Sequence, residues 1–258
     1  MLNFKSVNII AGLTCLGLLA LCLFYDLSLI YLFIILLLWL LITGLGSAFI
    51  GWNYHLSSLN ANYKTNKNQI AITFDDGPNP EFTPKVLKLL KTYNAKATFF
   101  CIGKHIEAYP EIFKSILEAQ HVVGNHTYSH SNRFGFFGTE EVVKELQRTN
   151  TVIEKQCGLK MNLYRPAFGV TNPNIRRALG ITGLQSVGWS KRSLDTTKLG
   201  KKAILKCITT NLKAGDVILL HDSSEKTVLV LEQLLLFLQE QNLKPVTIDT
   251  LFDIKAYA

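Results

Sequence analysis

The sequence predicts an α/β fold, a parallel sheet of about seven strands, open or closed, behind a membrane-spanning helical hairpin. Three observations carry this. Two long apolar runs fill the first 52 residues, short apolar runs alternate with helical patterns from Gln69 onward, and the reactive residue types fall at the C-terminal ends of the predicted strands.

The apolar runs are Val7–Phe24 and Leu27–Trp52, separated by a short step around Tyr25 and Asp26. Each approaches or exceeds the ~20 residues needed to cross hydrocarbon. A cleaved signal peptide with Lys5 as its charged start is the alternative for the first run. A second, longer apolar run follows at once where a polar mature start is needed, so a hairpin is preferred, with Trp39 and Trp52 as interface anchors. Residues 1–52 are therefore expected as a membrane anchor, and 53–68, polar and without a strong period, as a linker.

Lys5 and Asp26 are the only charged side chains up to Asn60, so the net charge of +8 belongs to the remainder of the 258-residue chain. Such an excess suits anionic glycans or lipid headgroups. No Lys/Arg block with interleaved aromatics appears, which argues against nucleic acid. Cys15 and Cys22 sit in the first apolar run, while Cys101, Cys157 and Cys207 are scattered, so neither a disulfide framework nor a structural zinc site is indicated.

Candidate strands are Gln69–Phe74, Ala97–Ile102, Val122–Asn125, Asn162–Arg165, Leu184–Trp189, Val217–His221 and Pro245–Ile248. Helices are expected at Thr83–Tyr93, Pro110–Ala119, Thr139–Cys157, Asn174–Leu179, Lys198–Leu212 and Glu225–Asn242. Thr83 before Pro84 reads as an N-cap, and Glu140 and Glu141 place negative charge where the dipole of the third helix favours it. In Ser131–Gly138, Phe134, Phe136 and Phe137 either stack on sugars or pack beneath the loop, and packing is expected for at least two of them.

Asp75 and Asp76 end the first strand, His126 and His130 follow the third, Arg165 ends the fourth, Asp195 comes after the fifth, and His221 ends the sixth. In a parallel α/β sheet that edge is where ligands gather. His126 and His130, at i and i+4 on a helical turn or tight loop, can reach one ion together with a strand-end carboxylate. Two His and one carboxylate leave coordination positions open, as catalytic metals require. Adjacent carboxylates in a cleft repel, and a cation relieves this, one Asp acting as ligand and the other as base, in an order the residues alone leave open. Arg165 beside Asp75 would keep that carboxylate ionised, and His221 suits protonation of a leaving amine.

Thr73-Phe-Asp-Asp-Gly-Pro78, His126-Thr-Tyr-Ser-His130, Arg165-Pro-Ala-Phe-Gly169 and Ile218-Leu-Leu-His221 resemble the ordered motifs of the polysaccharide deacetylase family, the NodB homology domain of carbohydrate esterase family 4. The resemblance runs from about Gln69 to Ile248 and implies a distorted (β/α) barrel, a catalytic domain over 69–258, and removal of acetyl groups from N-acetylglucosamine in peptidoglycan or chitin-like glycans. It implies Asp75 as general base, His221 as general acid, and Asp76, His126 and His130 as ligands of one divalent metal, zinc or alternatively cobalt, manganese or nickel. Arg165 would steady Asp75, Asp195 would tune His221, the Phe168 amide would bind the oxyanion, and Leu219 would wall the acetyl pocket.

The stretch from Trp189 to Thr196 departs from the family pattern. Trp189, grouped with Phe168 and Leu219 as a substrate contact, is retained, but Arg192 stands where the family has Asp and Thr196 where it has Trp. That leaves the core chemistry and puts the substrate in question. A lipid-linked amino sugar, an O-acetylated glycan such as xylan, and a glycan-binding pseudoenzyme are the alternatives. The few charges flanking the hairpin lean the domain toward the cytoplasm, whereas wall glycans lie outside, and we expect a multi-pass inner-membrane protein with an extracytoplasmic domain.

Overall fold

The computed structural model describes residues 3–258. Helices α1 (Phe4–Tyr25) and α2 (Ile30–Ala48) both have a mean hydropathy of 2.4 and are long and apolar enough to cross a membrane. Only 6% of each is buried, the reverse of a soluble core helix, and Leu13, Leu16 and Leu37 project outward. The Trp39 indole N–H donates to Asn8 Oδ1 at 2.7 Å, so two polar side chains on facing helices satisfy each other inside the hairpin. Helix α2 ends before the expected Trp52, because the chain leaves helical geometry at Phe49 and a 3-10 turn covers Ile50–Trp52.

Residues 53–68 differ from the expected linker. Tyr54, His55, Leu56 and Ser58 are buried, Leu59 bridges Val187, and Ala61 bridges Asp216. The segment supplies backbone partners to the chain just after Ser186 and just before Val217. Its polar composition conceals this role because the contacts are long-range backbone pairs.

The sheet begins with β1 (Gln69–Asp75), followed by α3 (Thr83–Thr92), β2 (Ala97–Cys101), α4 (Gly103–Ala108), α5 (Pro110–Glu118), β3 (Val122–Asn125), α6 (Thr139–Cys157) and β4 (Leu163–Tyr164). After these come α7 (Pro173–Thr182), β5 (Gln185–Ser186), β6 (Lys191–Arg192), α8 (Lys201–Thr209), β7 (Val217–His221), α9 (Glu225–Glu240), β8 (Lys244–Val246) and α10 (Ile248–Phe252). The order β5-β4-β3-β2-β1-β7-β6 is parallel throughout and curls as a (β/α) half-barrel, as expected. β8 pairs with the start of β1, taking the positions that precede its pairing with β2.

Local corrections are few. The predicted strand Leu184–Trp189 is only Gln185–Ser186, with a separate β6 downstream, and Pro245–Ile248 gives way to α10 at Ile248. Helix α4 was not anticipated. Thr83 is not an N-cap: α3 already includes it, and its hydroxyl accepts from the Asn79 amide and donates to the buried Asp222 carboxylate. In the loop before α6, Phe134 is buried and Phe137 packs on the core, while Phe136 is 90% exposed.

Strand alternation sorts β1 into two faces. Ile70, Ile72 and Phe74 pack under the helices, whereas Ala71 belongs to the barrel interior with Phe100, Leu163 and Val187. Thr73 and Asp75 share the parity of Ala71, so the same period that builds the core turns them into the lumen.

The closing segment depends on Gly215, whose φ is +90° and whose amide donates to Gln69 O at 2.8 Å. A Cβ there would lie 2.2 Å from the Asn62 carbonyl oxygen. Gly215→Ala combines backbone strain with overpacking and is expected to destabilise the domain by about 2 kcal/mol or more. Denaturant unfolding of the variant beside the parent protein checks this, and an unchanged midpoint would show that the segment is dispensable.

Candidate active site

Register places the reactive residues. Asp75 pairs with His221 across β1 and β7, Cys101 with Asn125 across β2 and β3, and Asn125 with Tyr164 across β3 and β4. His126 and Arg165 each follow one of these paired positions, so they leave the same sheet edge as Asp75.

Arg165 is fully buried in the lumen. Its Nη1 donates to Asp75 Oδ1 at 2.9 Å and to Thr73 Oγ1 at 2.6 Å, Nη2 donates to Gly188 O at 2.7 Å, and Nε to Val187 O at 3.3 Å. The guanidinium lies over the Phe100 ring, 4.1 Å from its centroid. Burying this charge is costly, and only the carboxylate and the three oxygens around it make it tolerable.

Asp76 leaves the strand with φ 74°, which swings its carboxylate away from the Asp75 side and toward the two imidazoles. Asp76 Oδ1 lies 3.4 Å from Nε2 of both His126 and His130, and His126 Nε2 is 3.9 Å from Asp75 Oδ2. His126 Nδ1 donates to the Arg165 carbonyl at 2.9 Å, so Nε2 is the ring nitrogen that faces the cleft, where burial opposes its proton and Asp75 and Asp76 raise its pKa. Thr127 at φ 63° and His130 at φ 48° make the HTYSH segment a tight loop rather than a helical turn.

A divalent cation fits these residues. One donor atom from each of Asp76, His126 and His130 lies within 4.8 Å of the others, and Asp76 Oδ1 is buried without a hydrogen-bond partner. Burial works against ionising Asp76, but the charge of His126 beside it, with that of His221, holds it below the usual carboxylate range. Burial and the charge of His126 push His130 down to about 4, which leaves it neutral and able to ligate.

On the opposite wall, His221 Nδ1 meets Asp195 Oδ1 at 2.8 Å. Asp195 also accepts from the His221 amide at 2.8 Å, Ser193 Oγ at 2.8 Å and Thr227 Oγ1 at 2.9 Å. Burial lowers the His221 pKa, but the Asp195 hydrogen bond and charge, aided by Asp75 and Asp76, raise it to about 9. Its Nε2 is therefore protonated near neutrality.

These groups frame a cavity of about 280 Å³ whose lining includes Asp75, Asp76, His126, His130 and His221. Phe168, Gly169, Trp189, Arg192, Thr196 and Leu219 complete it. Arg165 and Asp195 stand behind the lining, as positioning groups. Phe168 sits at φ 58° with its ring 4.4 Å from that of His130. The Gly169 and Val170 amides turn back to Pro166 O and Ala167 O, whereas among the described residues none accepts from the Phe168 N–H. Gly169 is required beside Trp189, since a Cβ would lie 2.4 Å from the indole. β6 pairs Arg192 with Leu219, which brings that cation to the mouth of the cleft.

Sequence reasoning missed the supports of this site. His105 Nδ1 donates to the Asp76 carbonyl at 2.8 Å, and Glu145 Oε2 accepts from the Tyr128 and Ser129 amides at 3.0 and 2.7 Å, pinning the HTYSH loop. Both lie on helices far along the chain from the groups they hold. No local pattern signals them.

Comparison with known proteins identifies the family. The family model described as polysaccharide deacetylase matches residues 62–187. A peptidoglycan-N-acetylglucosamine deacetylase of Bacillus cereus is 35% identical over 198 residues, covering 74% of this chain and 91% of the relative. A chitooligosaccharide deacetylase of Azorhizobium caulinodans is 35% identical over 158 residues, covering 61% of this chain and 75% of the relative. Among solved structures, the Bc1960 peptidoglycan N-acetylglucosamine deacetylase superposes with a TM-score of 0.71 at 32% identity, covering 77% of this chain and 93% of that one. The chain therefore belongs to the polysaccharide deacetylase family, carbohydrate esterase family 4.

Proposed function

We propose that this protein is a membrane-anchored, metal-dependent deacetylase that hydrolyses N-acetyl groups of N-acetylglucosamine-containing glycans, peptidoglycan or chitin-like oligosaccharides. The observation that carries this reading is the pairing, across one cavity, of the Asp76, His126 and His130 cluster with a protonated His221. One side suits a cation, most simply zinc, and the other suits an acid. The relatives that act on peptidoglycan and chitooligosaccharides support the substrate class.

A divalent cation held by Asp76, His126 and His130 supplies Lewis acidity toward the acetyl carbonyl and a water molecule. Asp75, held in place by the Arg165 guanidinium, takes a proton from the attacking water. The Phe168 N–H donates to the oxygen that gains charge as the carbonyl carbon becomes tetrahedral. As the C–N bond breaks, His221 Nε2 gives its proton to the departing nitrogen, and acetate and the free amine result. Leu219 and Trp189 wall the acetyl pocket, while Thr196 and Arg192 leave it more polar and more positive than the family pattern. That polarity favours an acetylated sugar with an anionic neighbour, such as a lipid-linked amino sugar, as the second candidate substrate.

The purified protein should release acetate from chitin oligomers or peptidoglycan fragments, lose this on chelation, and lose it again in Asp76→Ala and His126→Ala. Acetylated xylan run in parallel separates N- from O-deacetylation, and retained turnover in either variant would contradict the ligand assignment. A loss of about 10²-fold or more in kcat is expected.

His221 acts as an acid only while protonated, so kcat should fall as pH rises through its pKa. A bound cation offsets the contributions of Asp75 and Asp76, placing that limb at or below about 9. Asp195→Asn removes the charge that raises His221, and the alkaline limb should move to lower pH by about one unit or more. A pH–rate profile with an unmoved limb would remove Asp195 from this role.

The two apolar helices support a multi-pass inner-membrane location, and the wall-glycan substrates of the relatives favour an extracytoplasmic domain. Alkaline phosphatase fused after Ala258 should then be active. An inactive phosphatase fusion with an active cytoplasmic reporter at the same position would reverse the topology.

A further inference from the structure

A second cavity, of about 720 Å³, lies away from the cleft, where the hairpin meets the domain. Its walls include Lys5 at the start of α1, His55 after α2, and Arg176 on α7. Both charged side chains of this lining are cations. The N-terminal end of the 22-residue α1 opens on the same space and adds positive potential. Leu56, Leu179 and Leu184 give it an apolar wall.

His55 is the informative residue. It is 2% exposed, and its Nδ1 has no hydrogen-bond partner among the described residues. Ser47 Oγ donates to Thr43 O at 3.0 Å and so accepts from His55 Nε2 at 2.9 Å. Burial and the charge of Arg176 lower the His55 pKa to about 4, so the ring is neutral and Nδ1 carries a lone pair. A buried acceptor without a donor is costly to leave unmet. Two cations beside such an acceptor suit a phosphate that carries a neighbouring hydroxyl.

The position selects the source. Phe49 and Trp52 are exposed and stacked, ring centroids 5.6 Å apart, at the domain-proximal end of α2. Aromatic pairs of this kind sit at headgroup level. Asn53, which directly follows Trp52, lines the cavity, as does Lys5 at the matching end of α1.

We propose that the cavity between the hairpin and the domain binds the phosphate-bearing headgroup of an anionic membrane lipid. This rests on the membrane reading of α1 and α2, which co-flotation of the full chain with phosphatidylcholine vesicles tests separately. Failure to float overturns the membrane reading and the lipid site with it.

Native mass spectrometry of the full-length protein, incubated in detergent with phosphatidylglycerol, phosphatidylcholine or inorganic phosphate, tests the site. One phosphatidylglycerol should be retained about tenfold more than phosphatidylcholine, and about tenfold less by a Lys5→Gln, Arg176→Gln double variant. His55→Phe should also weaken retention. The double variant should still release acetate from a soluble oligomer, which keeps this test independent of the deacetylase reading. Equal retention of the two lipids, or full retention by the double variant, overturns the proposal. Displacement of phosphatidylglycerol by equimolar inorganic phosphate would mark a free-phosphate site and overturn the lipid assignment.

Discussion

The fully buried ion pair between Arg165 and Asp75 is the constraint on which the rest of the site depends. A guanidinium in the lumen is tolerable only where every donor finds an oxygen, and here those oxygens come from β1 and from the turn after β5. Removing either charge would leave the other buried and unpaired, at a cost of about 3–5 kcal/mol. The pair thus holds the two sides of the half-barrel at a fixed separation. The same residue also reaches the candidate metal cluster, because the Arg165 carbonyl accepts the His126 Nδ1–H and turns Nε2 to the cleft. One buried arginine therefore orients the proposed base through its side chain and a proposed ligand through its backbone.

Around that frame, residues of one type are driven to opposite uses by their surroundings. His130 is lowered to about 4 by burial and a neighbouring imidazole, whereas His221, against the same burial penalty, is raised to about 9 by Asp195. The first state suits a neutral ligand and the second a proton donor. The two aspartates divide similarly. Asp75 continues the strand into the lumen and meets Arg165, while the left-handed turn at Asp76 sends its carboxylate to the histidines. Separating such groups across one cleft is how a single cavity can hold both a base and an acid.

Much of this was legible from residue order alone. Alternation of strand and helix placed Asp75, His126, Arg165 and His221 on one sheet edge, and α6 falls at Thr139–Cys157 as its pattern predicts. What stayed hidden is non-local. His105 and Glu145 act through backbone groups on other elements, and the bridges of Leu59 and Ala61 to Val187 and Asp216 leave no periodic trace in a polar stretch. Thr83 misled because its hydroxyl satisfies a buried carboxylate rather than a helix end. Local preference is weak beside an unpaired buried charge.

The buried bridge between the helical hairpin and the barrel bears on how the cleft is held. A flexible linker would let the domain sample many orientations, but the Phe4 amide donates to Tyr54 O at 2.9 Å and the Thr171 amide donates to Ser47 O at 3.0 Å. Thr171 closely follows Phe168 and Gly169, so the end of α2 is bonded to the loop that lines the cleft. Motion of the hairpin relative to the domain would break these bonds and expose Tyr54, His55 and Leu56 together. Their burial makes the attachment rigid in the sense that matters here, because such a rupture forfeits several apolar contacts at once. The position of the cleft relative to the hairpin then becomes a property of the fold rather than of a flexible tether.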